Sequence, residues 1–445
     1  MSRADLSREL GLTRVTVSDL VAELQQRNHV VELGMAEKNR PGKPAILVDV
    51  NRTGLQIVGL DLAEANVLRA AVMDLDGNVL TRLQTELTDE RGEAVTALVL
   101  ELADRAVAAA TAPLLGIGVG TPGIVDADGV VLTAPNLDWL DLPLGTLLEE
   151  HTSLPTLVAN DADAATMGEF TFGGGGDDMI LVKIGRGVGS GLMVGGRRAR
   201  GMHSAAGEIG HVTVGTDGGE PCVCGKVGCL ETWVAAPHLG RALAAAPDDA
   251  ARAALLATAG ERLGIALAPV VAALDLAEVV LAGPSDLLNG ELASAVATTL
   301  RDRTLQQREP QLLVRLSEDP QDIVLRGTAV LVLWAQLGVA RTALTSPASV
   351  LVTGHPPSRP PARARAARED RDRHPQEGTL SMKKKFASIA ALAATTALAL
   401  SACAGGGTPA SSSSAAPRPT SRPTPASPSP CGSPVATPRM SCAST

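Results

Sequence analysis

The sequence predicts an α/β chain in which a small helix-turn-helix domain precedes a larger domain of two lobes. Short apolar runs of strand length alternate with longer helical patterns from residue 57 onwards, which is typical of an α/β fold. Before them, a short helix, a glycine-containing turn and a second amphipathic helix fill the first 27 residues. Aromatic residues make up only 1% of the 445 residues, so the predicted core is aliphatic.

Residue types at the N-terminus set the bounds of the two helices. Ser2 is a capping residue for a short first helix, and Gly11 marks the turn that follows it. Thr13 caps a second helix over residues 14–27. The apolar face of this helix has three- and four-residue spacing and consists of Val17, Leu20, Val21 and Leu24.

Two strands after these helices complete a winged helix-turn-helix, which is predicted to span residues 1–50. The strands, at residues 30–33 and 45–48, flank a basic hairpin tip. In a DNA complex the start of the second helix faces the major groove, and the tip contacts phosphates or the minor groove. The predicted DNA-binding side chains are Arg14, Thr16, Ser18, Lys38, Arg40 and Lys43.

Two observations qualify the DNA-binding hypothesis. The first 45 residues carry seven basic and six acidic side chains, and the whole chain has a formal charge of −9, so a protein-binding module is the alternative. Winged helices also have one more helix before the first one found here. We therefore expect either a start codon further upstream or an incomplete small core.

The larger domain is predicted over residues 55–345. Its strands are predicted at residues 57–62, 70–75, 79–85, 117–120, 156–158, 179–184 and 188–194. Its clearest helices are predicted at residues 91–110 and 329–344. A ligand of such a two-lobed domain is expected in the cleft between the lobes.

One histidine and three cysteines lie at metal-ligand spacing, at His211, Cys222, Cys224 and Cys229. Closed structural zinc sites take four nitrogen and sulfur ligands, which these residues supply. The other three cysteines lie beyond residue 400 in a low-complexity segment, so a disulfide arrangement would leave one of the first three unpaired. The sequence therefore predicts a structural Zn²⁺, with unligated thiols as the alternative.

Carboxylates and an amide accompany the metal motif without being needed by it. Glu208 and Glu231 flank the motif, and Asn160 and Asp161 end an upstream apolar run. Such groups suit a polyhydroxylated ligand, because each hydroxyl both donates and accepts hydrogen bonds. The alternative for Asn160 and Asp161 is that they cap the helix that follows.

Four motifs occur in a familiar order. They are residues 116–126 (GIGVGTPGIVD), 134–139 (APNLDW), 160–165 (NDADAA) and 206–211 (AGEIGH), the last followed by the cysteine cluster. Together they resemble the ROK family of repressors and sugar kinases, of the two-lobed actin-like ATPase fold, and the N-terminal domain resembles that of ROK repressors of the xylose-repressor type. The resemblance implies that the histidine serves both zinc and sugar. The sugar-binding residues that it implies are Asn136, Asn160, Asp161, Glu208, His211 and Glu231.

Three departures from the pattern of ROK kinases together favour a repressor over a kinase. One is a turn near the adenosine, with paired glycines in the kinases, which is reduced to Ala-Gly-Pro at residues 282–284 here. ROK kinases open this domain with Asp-x-Gly-Gly-Thr, whereas residues 61–65 read DLAEA here. A kinase needs backbone N–H groups from glycine-rich turns for the phosphates, and Glu64 repels them. The second loop reads Gly-Arg-Gly at residues 185–187 instead of Gly-Thr-Gly, and an arginine can still bind phosphate. Asp161, at the position of the kinase base, is therefore expected to bind a sugar hydroxyl without catalysis.

These features predict a cytoplasmic, sugar-responsive transcriptional repressor of a carbohydrate uptake or utilisation operon. Its expected partners are operator DNA, a small sugar effector and further copies of the chain as a homodimer or dimer of dimers, without a membrane. Two alternatives remain open. One is an ATP-dependent ROK sugar kinase, and the other is a zinc-stabilised sugar-binding scaffold that touches neither DNA nor ATP.

The last hundred residues differ in composition from the rest. Residues 346–381 are rich in Pro, Arg and Ala and are predicted to be a disordered linker. Residues 382–445 begin with Met and three lysines, then about 15 apolar residues, too few for a membrane span of ~20. A Ser/Pro/Thr-rich run follows Cys403. This tail resembles a bacterial lipoprotein signal and is predicted to be a fusion or frameshift product.

Overall fold

A computed structural model describes residues 1–35, 45–64, 66–215, 219–305 and 312–338. The predicted wing tip with Lys38, Arg40 and Lys43 lies outside the described residues, as do the predicted linker and tail. These predictions, and the predicted domain bounds, stay predictions.

The N-terminal helices follow their capping residues. Helix α1 (Arg3–Leu10) begins after Ser2, whose hydroxyl accepts from the Asp5 N–H while the Asp5 carboxylate accepts from the Ser2 N–H. This reciprocal capping box satisfies two backbone donors at the helix start. Helix α2 (Arg14–Gln26) begins after Thr13, as predicted.

A two-stranded sheet packs against these helices. Strand β1 (Val30–Met35) pairs antiparallel with strand β2 (Ile46–Val50). The small core between the helices and the sheet contains Leu6, Val17, Val21, Val30 and Val48. Two helices and a two-stranded sheet around one core are the arrangement expected of a helix-turn-helix with a wing.

The larger domain follows from residue 56. Its strands are β3 (Gln56–Asp61), β4 (Val67–Met73), β5 (Val79–Glu86), β6 (Leu114–Thr121), β7 (Ile124–Val125), β8 (Val131–Ala134), β9 (Trp139–Leu142), β10 (Thr156–Asn160), β11 (Met179–Ile184), β12 (Val188–Val194), β13 (Arg197–Arg198), β14 (Glu278–Ala282) and β15 (Leu313–Leu316). Its helices are α3 (Glu93–Ala108), α4 (Leu144–Thr152), α5 (Asp161–Phe172), α6 (Glu231–Val234), α7 (Ala236–Ala244), α8 (Asp249–Leu274), α9 (Ser285–Leu288), α10 (Glu291–Arg303) and α11 (Ile323–Leu337).

Two five-stranded sheets of the same topology form the two lobes. The first has the order β5-β4-β3-β6-β10 and the second β13-β12-β11-β14-β15. In each, an antiparallel meander of three strands is extended by two parallel strands. This repeat confirms the predicted two-lobed α/β fold.

Helices α5 and α11 cross each other between the lobes. Their contact is close because Gly327 lies on the backbone of α5, where a β-carbon would lie 1.7 Å from the Ala164 carbonyl oxygen. The late apolar helix predicted at residues 329–344 begins earlier than expected, at Ile323. Arg326 and Gly327 interrupt the apolar pattern of its first turns; Arg326 pairs with Asp319 and lies over the Phe172 ring, and Gly327 lies at the crossing with α5.

Among the described residues, one helix is long and apolar enough to cross a membrane by length and composition alone, and it is α8. Leu263 and Leu267 of α8 are fully buried in the core of the second lobe. The helix also packs against α10, where a β-carbon on Gly260 would lie 2.3 Å from the Leu292 carbonyl oxygen. Its apolar composition is therefore accounted for by the protein core.

Candidate functional site

The histidine and cysteines of the metal motif meet in the structure. Their ligand atoms all lie within 4.8 Å of one another. The Cys222 Sγ is 3.5 Å from the His211 Nδ1, and the Cys224 and Cys229 Sγ atoms are 3.6 Å apart. Tetrahedral zinc with bonds of ~2.3 Å holds two sulfurs about 3.8 Å apart. The four residues therefore have the donor set and spacing that suit a metal ion of this kind.

Backbone hydrogen bonds hold the cysteine loop in shape. The Cys222 N–H donates to the Lys226 carbonyl over 2.8 Å, and the Gly225 N–H donates to the Cys222 carbonyl over 2.9 Å. A β-bridge joins Thr213 to Cys229 next to the histidine. The loop is thus built by main-chain contacts, with its thiols directed to one point.

The pKa values of the three thiols differ within the cluster. Burial raises the pKa of Cys229 to about 12, and burial also raises the pKa of Cys222. The backbone N–H of Lys226 lowers the pKa of Cys224, which is exposed. A cation bound at the cluster displaces these protons, since metal-bound thiols are deprotonated.

The segment that carries Glu208 and His211 lies flat against strand β12. Gly207 has a φ of +98°, and a β-carbon there would lie 2.0 Å from the Ser190 carbonyl oxygen. The Ser190 N–H and hydroxyl both donate to the Gly207 carbonyl, over 3.1 and 2.9 Å. Only glycine fits this backbone conformation and this approach. Glu208 and His211 are placed as a consequence.

Glu231 joins the metal loop to the second sheet. It begins α6 two residues after Cys229, and its Oε2 accepts from the Val188 N–H at the start of β12 over 3.2 Å. Its Oε1 lies 3.9 Å from the Cys222 Sγ. The carboxylate is therefore adjacent to a predicted metal ligand.

Glu208 lies in an acidic neighbourhood. Burial, together with the negative charges of Asp161, Asp163 and Glu231, raises its pKa to about 7. The structure thus brings Asp161, Glu208 and Glu231 into one electrostatic environment beside the metal cluster. A neutral or hydrogen-bonding ligand suits this environment better than an anion.

Asn160 caps helix α5. Its Oδ1 accepts from the Ala162 and Asp163 N–H groups over 2.8 and 3.2 Å, and its Nδ2 donates to the Gly123 carbonyl over 2.8 Å. Asn160 is thus the N-cap residue of α5, as the alternative interpretation of the sequence predicted. One amide N–H stays available for a ligand, because the Nδ2 group carries two donors.

Asp161 and Asn136 occupy different surroundings. Asp161 is the first residue of α5, and its Oδ2 lies 3.0 Å from the Nζ of Lys183. Asn136 lies in the exposed turn between β8 and β9. In the described part of the chain, its side chain makes no hydrogen bond to the other predicted sugar-binding residues.

Three charged residues that sequence reasoning missed lie beside this group. Arg198 Nη1 is 3.1 Å from the Asp163 Oδ2, and the two side chains are 10% and 14% exposed. Lys183 is the third, paired with Asp161. A sequence signal existed for Lys183, since it interrupts the apolar run of β11. Arg198 gave no such signal, because it lies in the basic stretch of residues 197–200.

Asp163 gives the stability a specific pH dependence. Burial raises its pKa to about 6 from an ordinary value of 3.8, although the charges of Arg198 and Arg200 lower it. Between about pH 4 and 6 the folded state keeps a proton that the unfolded chain has lost, so this group lowers the stability as pH rises. We expect Asp163→Asn to flatten this decline, measured as the free energy of unfolding in urea across the window. The exposed Asp128→Asn serves as control, and parallel curves for wild type and Asp163→Asn would contradict the expectation.

An ion network surrounds the turn at residues 61–65, the position of the first phosphate loop in ROK kinases. Asp61 ends β3 and is buried, and burial raises its pKa more than the charges of Lys183 and Arg69 lower it. The Arg69 Nη2 lies 3.2 Å from the Asp61 Oδ2 and 2.7 Å from the Glu64 Oε1. The Ala63 N–H donates to the Asp61 Oδ1 over 3.1 Å. Carboxylates and their own cation thus fill this turn.

The predicted DNA-binding residues of α2 lie on one exposed end of the helix. Arg14, Thr16 and Ser18 are all exposed. The Ser18 hydroxyl donates to the Arg14 carbonyl over 2.8 Å, and the hydroxyls of Thr16 and Thr13 are 2.9 Å apart.

The larger domain matches a known protein family. The ROK family pattern matches residues 57–334. The chain belongs to the ROK family. Its larger domain is thus a ROK domain, and the match includes the metal cluster and the carboxylates beside it.

Named relatives include a repressor and a kinase. The chain is 31% identical over 240 residues to the xylose repressor of Caldicellulosiruptor bescii, which covers 52% of this chain and 59% of that repressor. A crystal structure of a ROK family transcriptional regulator, a homologue of the Escherichia coli MLC protein, aligns with a TM-score of 0.64 at 25% identity. It covers 77% of this chain and 92% of that regulator. A ROK glucokinase from Streptomyces griseus, in complex with glucose and AMPPNP, aligns with a TM-score of 0.55 at 26% identity, covering 62% of this chain and 98% of that kinase.

Proposed function

We propose that this ROK protein is a sugar-responsive transcriptional repressor of a carbohydrate uptake or utilisation operon. The observation that carries the proposal is the combination of a helix-turn-helix with the ROK domain. The transcriptional regulator aligns with a larger share of the chain than the glucokinase does, which is what an N-terminal DNA-binding module adds. The named xylose repressor supports the same role.

In this proposal the ROK domain binds a sugar in the cleft. Asn136, Asn160, Asp161, Glu208, His211 and Glu231 bind its hydroxyls, and Zn²⁺ at His211 and the three cysteines has a structural role. The ion holds two carboxylate-bearing segments together, since His211 follows Glu208 and Cys229 precedes Glu231. Repressor action requires a sugar to bind one of two domain arrangements more tightly than the other. Such coupling is typically ~1–3 kcal/mol.

DNA binding is assigned to the exposed end of α2 and to the predicted wing tip. Arg14, Thr16 and Ser18 would face the major groove, while Lys38, Arg40 and Lys43 would contact phosphates or the minor groove. A homodimer or dimer of dimers reads a two-fold symmetric operator. The proposed location is the cytoplasm, where the operator is.

A sugar kinase is the second candidate, favoured by the alignment with a glucokinase. Two observations weigh against it. The turn after β3 holds Glu64 and Arg69 in an internal ion pair in place of a glycine-rich phosphate cradle. Asp161, at the kinase base position, is paired with Lys183. A base that is already paired with a cation is poorly placed to take a proton from a sugar hydroxyl.

The test is DNA binding by the zinc-loaded protein, measured by fluorescence anisotropy at fixed salt with duplexes from its own promoter and from adjacent carbohydrate genes. We expect specific binding that one sugar of a hexose, pentose and amino-sugar panel changes. Arg14→Ala should weaken binding roughly tenfold. Arg27→Ala, at the other end of α2, is the matched control. Sugar-dependent ADP release from ATP without specific DNA binding would establish the kinase instead.

A further inference from the structure

Lys183 is a buried ammonium in an otherwise apolar strand. Its neighbours Val182 and Ile184 on β11 are fully buried, and its own side chain is 16% exposed. The Nζ lies 3.0 Å from the Oδ2 of Asp161. Because burying a lone ammonium is costly, an isolated lysine here would destabilise the fold, and its carboxylate partner is what offsets that cost.

The charges around Lys183 come from more than one element. Burial lowers the pKa of Lys183. The charges of Asp161 and Asp61 and the hydrogen bond to Asp161 raise it by more, so that the pKa is raised overall. Glu64 adds to the same effect. Asp61 and Glu64 are themselves bonded to Arg69. Asp161 has no such arginine among its ion pairs in the described residues, so Lys183 is its cation.

The pair joins the two sheets. Asp161 follows directly on β10 of the first sheet, whereas Lys183 lies on β11 of the second. Strand β11 continues through residues 185–187 into β12, whose first N–H, that of Val188, donates to Glu231. The β11–β12 hairpin therefore contacts two of the predicted sugar-binding carboxylates, one from β11 and one from the start of β12.

We propose that Lys183 is a positioning residue of the sugar site, which orients the Asp161 carboxylate and ties it to the second sheet. This inference rests on the proposed sugar binding. A sugar that bonds to Asp161 and Glu231 then engages both carboxylates that contact the β11–β12 hairpin, one through Lys183 and the other through the Val188 N–H. The lysine does not touch the sugar, and it acts through Asp161.

The role of Lys183 differs from anion binding. The atoms that face its Nζ are carboxylate oxygens, which neutralise its charge and repel a phosphate. A phosphate donor would have to displace Asp161 from the ammonium.

The test compares Lys183→Met, Lys183→Arg, Asp161→Asn and the double variant Lys183→Met/Asp161→Asn in the full chain. Sugar affinity is measured by calorimetry across a panel of hexoses, pentoses and amino sugars. We expect Lys183→Met to weaken the binding of the responsive sugar roughly tenfold and Lys183→Arg to restore most of it. The double variant should bind no more weakly than Asp161→Asn alone. Arg82→Met, which removes an ion pair with Asp322 elsewhere, is the control for general loss of charge.

The outcomes separate the inference from its premise. Wild-type affinity in Lys183→Met, or a tenfold loss that persists in the Asp161→Asn background, would overturn the positioning role. Absence of binding across the whole panel by wild type would instead contradict the proposed function. In that case a double-variant cycle on the free energy of unfolding, without sugar, still decides whether Lys183 and Asp161 are coupled.

Discussion

Cys229→Ser is expected to abolish binding of the predicted metal and to lower the free energy of unfolding of the metal-loaded protein by more than about 4 kcal/mol. Cys229 is fully buried, and its thiolate is one of four predicted ligands, so a serine hydroxyl leaves the metal with three and a poorer donor. Metal binding contributes directly to folding free energy, because the unfolded chain has no preformed site.

The Cys229→Ser substitution should also weaken the proposed sugar binding. Glu231 follows Cys229 by two residues, and Glu208 precedes His211 by three, so both carboxylates lose their anchor with the ion. We expect sugar affinity to fall at least tenfold, as for other losses of a supporting contact. Metal content by elemental analysis, thermal unfolding and calorimetry measure the three effects on one preparation. Cys403→Ser, outside the cluster, is the control. Retention of one metal per chain by Cys229→Ser would contradict the predicted ligand set.

Gly327→Ala is expected to destabilise the protein by about 3 kcal/mol or more. A methyl group at this position would lie 1.7 Å from the Ala164 carbonyl oxygen and 2.3 Å from its carbon, both backbone atoms of α5. No side chain can rotate to make room, so α11 must separate from α5. Since α5 begins with Asp161, the separation also moves the sugar site.

The helix propensity of alanine acts in the opposite direction, which makes the test specific. An alanine in place of glycine inside a helix by itself stabilises by about 0.5–1 kcal/mol. Gly240→Ala on α7, where nothing lies within 4 Å of the added carbon, should show that gain. Urea unfolding of both variants measures the difference. A Gly327→Ala protein as stable as wild type would show that the two helices pack less closely than the structure describes.

Local sequence determined the first helices and the candidate metal cluster. Caps, turns and apolar spacing depend on residues within a few positions of each other, so Ser2, Thr13 and the faces of α1 and α2 were predictable. The histidine and cysteines are close in sequence, and their donor chemistry restricts the ion that they suit. The same holds for the alternation of strands and helices in the two lobes. The wing tip and the tail remain predictions, since they lie outside the described residues.

Only the tertiary structure decided which distant residues meet. The Lys183 to Asp161 pair joins positions on two different sheets, and Arg198 reaches Asp163 from β13. The close crossing of α11 and α5 at Gly327 likewise depends on two segments that are far apart in the sequence. A buried charge needs a partner of opposite charge, and a glycine at a helix crossing needs a backbone close to it. Which residue fills that place depends on how the sheets and helices pack. The sequence therefore shows that Lys183 and Arg198 are charged, whereas the tertiary structure shows that their partners are Asp161 and Asp163.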